Sequence, residues 1–361
     1  MQKDFHFYVT GILANHAGYS DDEAIVIATA SQYVDHATES FSIQFDDGKI
    51  IETTMTAHYH IQSFNPGVQK KVFMCFHFPP EGRIIVDGKK FFSYKTKENS
   101  KIIIELLNQI MADKVQGAYN DLVGNNGIPF HLYRLGIAMH TIADSWSHMS
   151  FTGRHNDEND VGKIWFKKGT KWERQYINDW KWDVAPAIGH AECGHYPDQP
   201  FRRMQYELYD IDGSKYNKLT RTNPTKFKNA AKKCLEWLND FNDDNRNGLT
   251  SWDENSPAMK CIDLLIKSKE EDQKDRIHSL KKDHVFVKHF DNLFAGSNDY
   301  DPKRWRDDAV IPKELNDPWG EFKRRDLLHA LPKPGFERSS FRLFHKAAKL
   351  QRSFILDKLF W

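Results

Sequence analysis

Histidines and a carboxylate recur at metal-ligand spacing inside one helical segment. His140, Asp144 and His148 form the pattern His-x3-Asp-x3-His within RLGIAMHTIADSWSHMSF. Because four residues advance an α-helix by about 400°, the three side chains drift only about 80° around the axis and share one face. Imidazole and carboxylate groups are good ligands for zinc and similar divalent ions. The spacing favours a metal site, and a hydrogen-bonded core network is the alternative interpretation.

Further imidazole and carboxylate groups cluster before residue 200. Twelve of the 17 histidines fall within residues 1–195. Together the clusters offer enough ligands for a hydrolase with two or three metal ions. The candidate ligands outside the helix are Asp4, His6, Asp35, His58, His60, His190 and Asp198, with Glu192 and His195 nearby. The histidines without a partner pattern are predicted to be ordinary core or surface residues, namely His16, His36, His77, His131 and His155.

A second motif, DDNRNGLTSWDE, matches the loop of an EF-hand calcium site. Its oxygen ligands at positions 1, 3, 5, 9 and 12 are Asp243, Asn245, Asn247, Ser251 and Glu254. Gly248 stands at position 6, where the loop turns sharply. We therefore predict a structural calcium site, because sensor loops usually work in pairs, with an acidic surface turn as the alternative.

The elements that must position these residues are mostly helical. We predict helices over 4–18, 21–37, 100–115, 131–151, 224–241, 257–282, 285–294 and 338–360, and β-hairpins at 41–56 and 83–94. Residues 152–185 are polar and dotted with tryptophan, which suggests a loop over a site. The predicted fold class is mainly α, a multi-helix bundle with small β-hairpin insertions.

The near-neutral total charge conceals two different halves. The chain has 51 basic and 50 acidic residues, a net charge of +1. Residues 1–201 carry 19 basic and 24 acidic side chains, whereas residues 202–361 carry 32 and 26. No whole-protein field therefore indicates nucleic acid or anionic lipid as a partner. We predict a metal-binding core over 1–201 and a charged helical region over 202–361 packed on it.

The sequence predicts a cytoplasmic protein. Its apolar stretch near the start is only about eight residues long and is not followed by a small-residue cleavage pattern. No run approaches the roughly 20 apolar residues of a membrane span. The basic amphipathic segment 338–361 is predicted to pack on the domain, and the alternative is a contact with a membrane surface.

Four sequence stretches carry a resemblance to a known superfamily. DFH, SQYVD, LGIAMHTIADSWSH and GHAECGHYPD resemble the zinc-dependent phospholipase C and fungal zinc nuclease superfamily, in particular Het-C-like proteins and a related uncharacterised bacterial family. The resemblance covers roughly residues 1–201 and implies a phospholipase C-like helical bundle whose two or three zinc ions hydrolyse phosphodiesters. It implies that Asp35 is a bridging ligand and catalytic base. The other implied ligands are His6, His58 or His60, His140, Asp144, His148 and His190.

Three features depart from the pattern of that superfamily, and one is the spacing from Asp144 to His148, which is shorter than in its secreted lipases and nucleases. Its secreted members bind metal through the amino group of a terminal tryptophan, whereas this chain has Met1 and Gln2 there, so Asp4 is the expected replacement. The residue four positions after His190 is Gly194 rather than an acidic residue. Asp198 or Glu192 is expected to substitute for it.

These features predict a metal-dependent phosphodiester hydrolase with zinc as the expected metal. Phospholipid is preferred over nucleic acid because no basic groove with interleaved aromatic residues is evident near the ligands. The alternatives are a zinc-dependent nuclease and a metal-stabilised, non-enzymatic interaction protein. The sequence has no G-x-S-x-G elbow, P-loop or G-x-G-x-x-G motif, so serine hydrolases, nucleoside triphosphatases and dinucleotide enzymes have no support.

Overall fold

The computed structural model describes residues 1–38, 42–44, 50–58, 64–175, 188–209, 216–242, 251–311 and 331–359. Its helices are α1 (Thr10–His16), α2 (Asp21–Tyr33), α3 (Pro66–Val68), α4 (Lys101–Val115), α5 (Phe130–Ser147), α6 (Asn223–Phe241), α7 (Pro257–Lys267), α8 (Gln273–Lys282), α9 (His284–His289), α10 (Arg304–Ala309) and α11 (Ser340–Lys358). Two π-helical segments, Asp4–Val9 and Gln69–His77, adjoin α1 and α3.

The strands fall into one larger sheet and several hairpin-sized ones. They are β1 (Ser42–Gln44), β2 (Ile50–Glu52), β3 (Pro80–Val86), β4 (Lys89–Thr96), β5 (Val161–Lys168), β6 (Lys171–Gln175), β7 (Arg203–Tyr209), β8 (Tyr216–Thr222), β9 (Val310–Ile311) and β10 (Leu331–Pro332). The order β6-β5-β7-β8 forms a four-stranded antiparallel sheet. The predicted mainly α fold class is therefore wrong, and the chain combines α and β structure.

The prediction failed at β5 and β6, within the segment 152–185 that was interpreted as a loop. In β5, Ile164 and Phe166 are buried while Trp165 lies between them, partly exposed. A strand is recognised by alternating apolar and polar residues, and an outward tryptophan interrupts that alternation. The polar lysines around it made the segment resemble a loop.

Helix α5 is the centre of the helical core, with α2, α4, α6 and α11 packed against it. It approaches α2 very closely at Gly136, where a Cβ atom would lie 2.5 Å from the Ile27 carbonyl oxygen. Helix α2 starts at a capping box formed by Ser20 and Glu23. The close crossing brings the end of α2 alongside the second half of α5.

Most of the other predicted elements are present. The two predicted hairpins correspond to β1–β2 and β3–β4. The predicted helix over 257–282 is divided into α7 and α8, because the Asp272 side chain accepts a hydrogen bond from the Lys274 amide and so caps the start of α8. Within the described residues, no helix has the length and apolar character needed to cross a membrane.

One hydrophobic cluster joins the regions 1–201 and 202–361. It includes residues of α1, α2 and α5 together with residues of α6, α7 and α11. The apolar side of α11 is packed in this core rather than turned outward. Its buried residues include Phe341, Phe344, Ala348 and Ile355, with Leu359 just beyond the helix.

Candidate metal centre

Helix α5 and the residue that follows it present His140, Asp144 and His148 to one buried cluster. His140 Nε2 lies 3.0 Å from Asp144 Oδ2, and His148 Nδ1 lies 3.7 Å from the same oxygen. His140 is fully buried and Asp144 almost so. The helix predicted from 131 is thus present, and its His-x3-Asp-x3-His residues converge.

A first group of possible metal donors consists of His6, His140 and Asp144. The π-helical segment Asp4–Val9 places His6 Nε2 3.1 Å from Asp144 Oδ1 and stacks its ring on His140, with centroids 3.9 Å apart. Neither ring nitrogen of the fully buried His6 makes a hydrogen bond. Buried polar atoms normally have hydrogen-bond partners, so these two nitrogens are available to bind a metal ion.

A second group consists of Asp35, His77 and His140. His140 Nδ1 donates to the Ser31 carbonyl at 2.9 Å, and His77 Nε2 donates to the Thr56 carbonyl at 2.8 Å. These bonds leave His140 Nε2 and His77 Nδ1 with their lone pairs facing each other, 3.1 Å apart. Asp144 Oδ2 lies 3.0 and 3.1 Å from the two nitrogens. A proton or a metal ion must lie among these acceptors.

A third group consists of His148, His190 and Asp198. The His148 and His190 Nε2 atoms lie 3.4 and 3.2 Å from the Asp198 carboxylate. Each ring donates its other nitrogen to a carbonyl, His148 to His77 and His190 to Gly194, both at 2.8 Å. Such carbonyl bonds typically orient metal-binding histidines. Four histidines of the cluster therefore donate one ring nitrogen to a carbonyl and turn the other toward carboxylates.

The buried side chains of Arg221 and Asn223 hold the loop around Asp198 in place. Arg221 Nη2 donates to the carbonyl of Trp146 at 2.9 Å, near the end of α5, and its Nε donates to Asn223 Oδ1. The Asn223 amide in turn donates to three carbonyls of the loop, those of Tyr196, Pro197 and Gln199. Both residues are almost completely buried, so they tie Asp198 rigidly to the end of α5.

The amino nitrogen of Met1 lies between the first and third groups. It contacts Asp144 Oδ1, lies 3.2 Å from Asp198 Oδ1, and donates to Ser147 Oγ at 3.0 Å. Burial opposes its charge, but the two aspartates outweigh burial and raise the pKa of this amino group to about 10. A positive charge is thus already accommodated between two buried carboxylates.

The electrostatics favour ionised Asp144 and neutral His6, which are the protonation states that metal ligands need. Burial disfavours ionised carboxylates, yet His148, the amino group and His140 hold the pKa of Asp144 well below its usual range. Burial and the neighbouring His140 lower the pKa of His6 to about 4. Ionised carboxylates beside a neutral imidazole are the combination that binds divalent ions.

Several predicted ligands lie outside these donor groups. Asp4, the expected replacement for a terminal ligand, forms a buried ion pair in which its Oδ2 lies 2.6 Å from Arg276 Nε. The atom near the cluster is instead the amino nitrogen of Met1. His58 packs its ring edge against Phe73, with centroids 4.3 Å apart. His60 lies outside the described residues.

The two acidic candidates near His190 separate clearly. Asp198 joins the third group, whereas the Glu192 carboxylate accepts a hydrogen bond from the Val161 amide at 2.6 Å. The close carboxylate partner of His190 is therefore eight residues along the chain rather than four.

The predicted calcium loop is only partly described. Asp243, Asn245, Asn247 and Gly248 lie outside the described residues. Ser251 is exposed, and the Glu254 carboxylate lies 2.6 Å from Lys228 Nζ and accepts a hydrogen bond from Trp252. The calcium site stays a prediction, in which Glu254 would have to leave Lys228.

His77 is the member of the cluster that the sequence interpretation missed. It is predicted to be an ordinary histidine because the sequence around it shows no partner pattern. It ends the π-helical segment Gln69–His77, and π-helical turns are frequent at functional sites. One sequence feature could have indicated His77: it ends the apolar run VFMCF and directly precedes Phe78 and two prolines.

Comparison with known proteins gives family membership and leaves the activity open. No curated protein and no solved structure matches the chain. One family model matches residues 1–359 and so covers both the histidine and aspartate cluster and the region after residue 201. The chain belongs to that family, DUF6765, which is described as a family of unknown function.

Proposed function

We propose that this protein is a metal-dependent phosphodiester hydrolase that uses zinc or a similar divalent ion. The observation that carries the proposal is the convergence of His6, His77, His140, His148 and His190 on three carboxylates, those of Asp35, Asp144 and Asp198. Because four of these rings already donate their other nitrogen to a carbonyl, the nitrogens that face the carboxylates need a proton or a metal ion between them, and we propose a metal ion.

The donor groups support at least two ions per chain. The first and second groups share His140, whose only available nitrogen is Nε2, so together they define one centre. The third group shares no residue with them and defines another. Divalent ions at such centres lower the pKa of bound water and neutralise charge on a phosphodiester as it is attacked.

Asp35 is the side chain proposed to act on water in this site. Its side chain is 31% exposed, whereas those of Asp144 and Asp198 are 2% and 10% exposed. Its Oδ2 accepts a hydrogen bond from Gln32 Nε2 at 3.1 Å, and its Oδ1 lies 3.8 Å from His140 Nε2. An oriented, accessible carboxylate at the edge of a buried cluster suits a general base.

This exposure also favours an enzyme over a metal-stabilised interaction protein. Structural zinc sites bury four protein ligands and leave no open position, whereas catalytic sites keep one side open. The superfamily resemblance supports a phosphodiester as substrate, with a phospholipid head group as the first candidate and nucleic acid as the second. The helix α11 has no part in the proposal, since its apolar side is buried.

The experiment is hydrolysis of bis(p-nitrophenyl) phosphate, a soluble diester, by protein loaded with zinc, by chelator-treated protein and by the treated protein after zinc is returned. We expect activity with metal, its loss with chelator and its recovery with zinc. Phosphatidylcholine vesicles and single-stranded DNA as further substrates separate the lipase from the nuclease. A zinc-loaded protein that cleaves none of the three would contradict the proposal and favour a structural metal.

A further inference from the structure

The outer face of the four-stranded sheet is a surface that the metal centre does not use. Trp165 lies opposite Arg174 on β6 and opposite Gln205 on β7. Its neighbours Ile164 and Phe166 point the other way and are buried in the second hydrophobic cluster. Because side chains alternate along a strand, every second residue of these strands faces outward.

This outer face is strongly basic and contains two tryptophans. Its outward positions hold five basic residues and one acidic residue, in a chain whose net charge is only +1. None of these side chains is buried. By alternation and register the outward residues include Lys163, Trp165, Lys167, Trp172, Arg174, Arg203, Gln205, Glu207, Lys218, Thr220 and Thr222.

Both indole rings lie beside lysine ammonium groups. Lys218 Nζ is 3.9 Å from the Trp165 ring centroid, and Lys167 Nζ is 5.8 Å from that of Trp172. Both tryptophans are partly exposed, although Ile164, Phe166 and Met204 on the inner face are buried. Aromatic rings placed at a surface between cations are more typical of a binding surface than of a core.

We propose that this face binds single-stranded nucleic acid, with bases stacked on Trp165 and Trp172 and phosphates contacting Lys163, Lys167 and Lys218. Antiparallel sheets that display aromatic residues among basic ones are a recurring platform for unpaired bases. A single strand is favoured over a duplex, because stacking on a side chain requires an unstacked base.

The inference goes beyond the proposed hydrolase and stands separately from it. The inner face of the same sheet faces the metal centre, since Tyr206 stacks on Phe151 and the Phe151 ring lies 6.0 Å from that of His190. The nucleic-acid surface is therefore on the side of the sheet away from the metal donors.

The test is the fluorescence anisotropy of a labelled oligothymidylate of about 20 nucleotides, longer than one typical single-strand site. We expect binding by the parent chain, and a loss of about 5- to 150-fold in affinity for Trp165→Ala and for Trp172→Ala. Trp165→Phe should keep most of the affinity. Lys167→Gln and Lys218→Gln should each flatten the logarithmic salt dependence by about 0.7, the value for one phosphate contact on a single strand.

Matched controls come from the same chain. Trp237 on α6 also lies near a lysine, Lys233 at 5.5 Å, and Lys282 is an exposed lysine of α8. Trp237→Ala and Lys282→Gln should bind like the parent chain. All variants carry Asp35→Asn so that hydrolysis does not consume the probe. If the chain with native Asp35 binds the oligonucleotide without cleaving it, this inference stands and the nuclease alternative fails.

Three results would overturn the inference. The first is the absence of oligonucleotide binding at low salt. The second is affinity lost only in the lysine variants and not in the tryptophan variants, which would indicate a general polyanion surface. The third is binding to phosphatidylglycerol vesicles without binding to the oligonucleotide, which would indicate a membrane surface.

Discussion

Replacing Asp144 with asparagine should remove most of the zinc affinity of the cluster. This carboxylate contacts His6, His140, His77 and the Met1 amino nitrogen, so more donors meet at it than at any other described side chain of the cluster. Removing one partner of a buried charged group costs about 3–5 kcal/mol, which corresponds to roughly 150- to 5000-fold in affinity. Isothermal titration calorimetry with zinc measures the change.

Asp113→Asn is the matched control for Asp144→Asn. Asp113 pairs with Arg134 on α5 at 2.6 Å and is also largely buried, but it belongs to no donor group. The Asp113 variant should lower the melting temperature while leaving zinc affinity unchanged. Equal zinc affinity in the parent chain and the Asp144 variant would show that this carboxylate is not a ligand.

Replacing Asp35 with asparagine should lower kcat for the diester by about 10²- to 10⁴-fold, the usual contribution of a general base. Asparagine keeps the shape of the side chain and can accept the hydrogen bond from Gln32, but it cannot take a proton from water. We expect KM to change little and zinc to be retained, because the buried donors remain. Steady-state kinetics on protein of measured zinc content provide the test.

Asp22→Asn serves as the control on the same helix. Asp22 is exposed in the first turn of α2, whereas Asp35 follows the last turn. The control should keep the activity of the parent chain. Activity unchanged in Asp35→Asn, with zinc content also unchanged, would remove the assignment of Asp35 as the base.

The sequence was most informative where several ligands share one element. His140, Asp144 and His148 are joined by a helical period, so their convergence follows from local geometry alone. Asp35 and His6 lie on other elements, and their meeting with α5 depends on the close α2–α5 crossing at Gly136 and on the π-helical segment Asp4–Val9. Spacing along the chain does not determine such contacts.

Two parts of the site were hidden from the sequence for physical reasons. His77 belongs to no ligand pattern in the sequence, and its carboxylate partner, Asp144, is 67 residues away in the chain. Asp4 has the residue type of a ligand, but Arg276, 272 residues later, neutralises it. In both cases the deciding partner is distant in the sequence and becomes a neighbour only on folding.

The sheet was missed because its outer face breaks the binary pattern on which strand prediction depends. A half-buried strand is expected to alternate apolar and polar residues, and in β5 the outward position between Ile164 and Phe166 is Trp165. The same tryptophan that concealed the strand is part of the surface proposed to bind nucleic acid. Local rules often fail at such functional positions.

The most direct test of the metal centre is the zinc content of the protein after equilibration with zinc and removal of unbound metal, measured by inductively coupled plasma mass spectrometry. The two separate centres, one formed by the first and second donor groups and one by the third, predict about two tightly held ions per chain. Protein that retains no zinc would contradict the account, because the histidines and aspartates would then be a hydrogen-bonded core network.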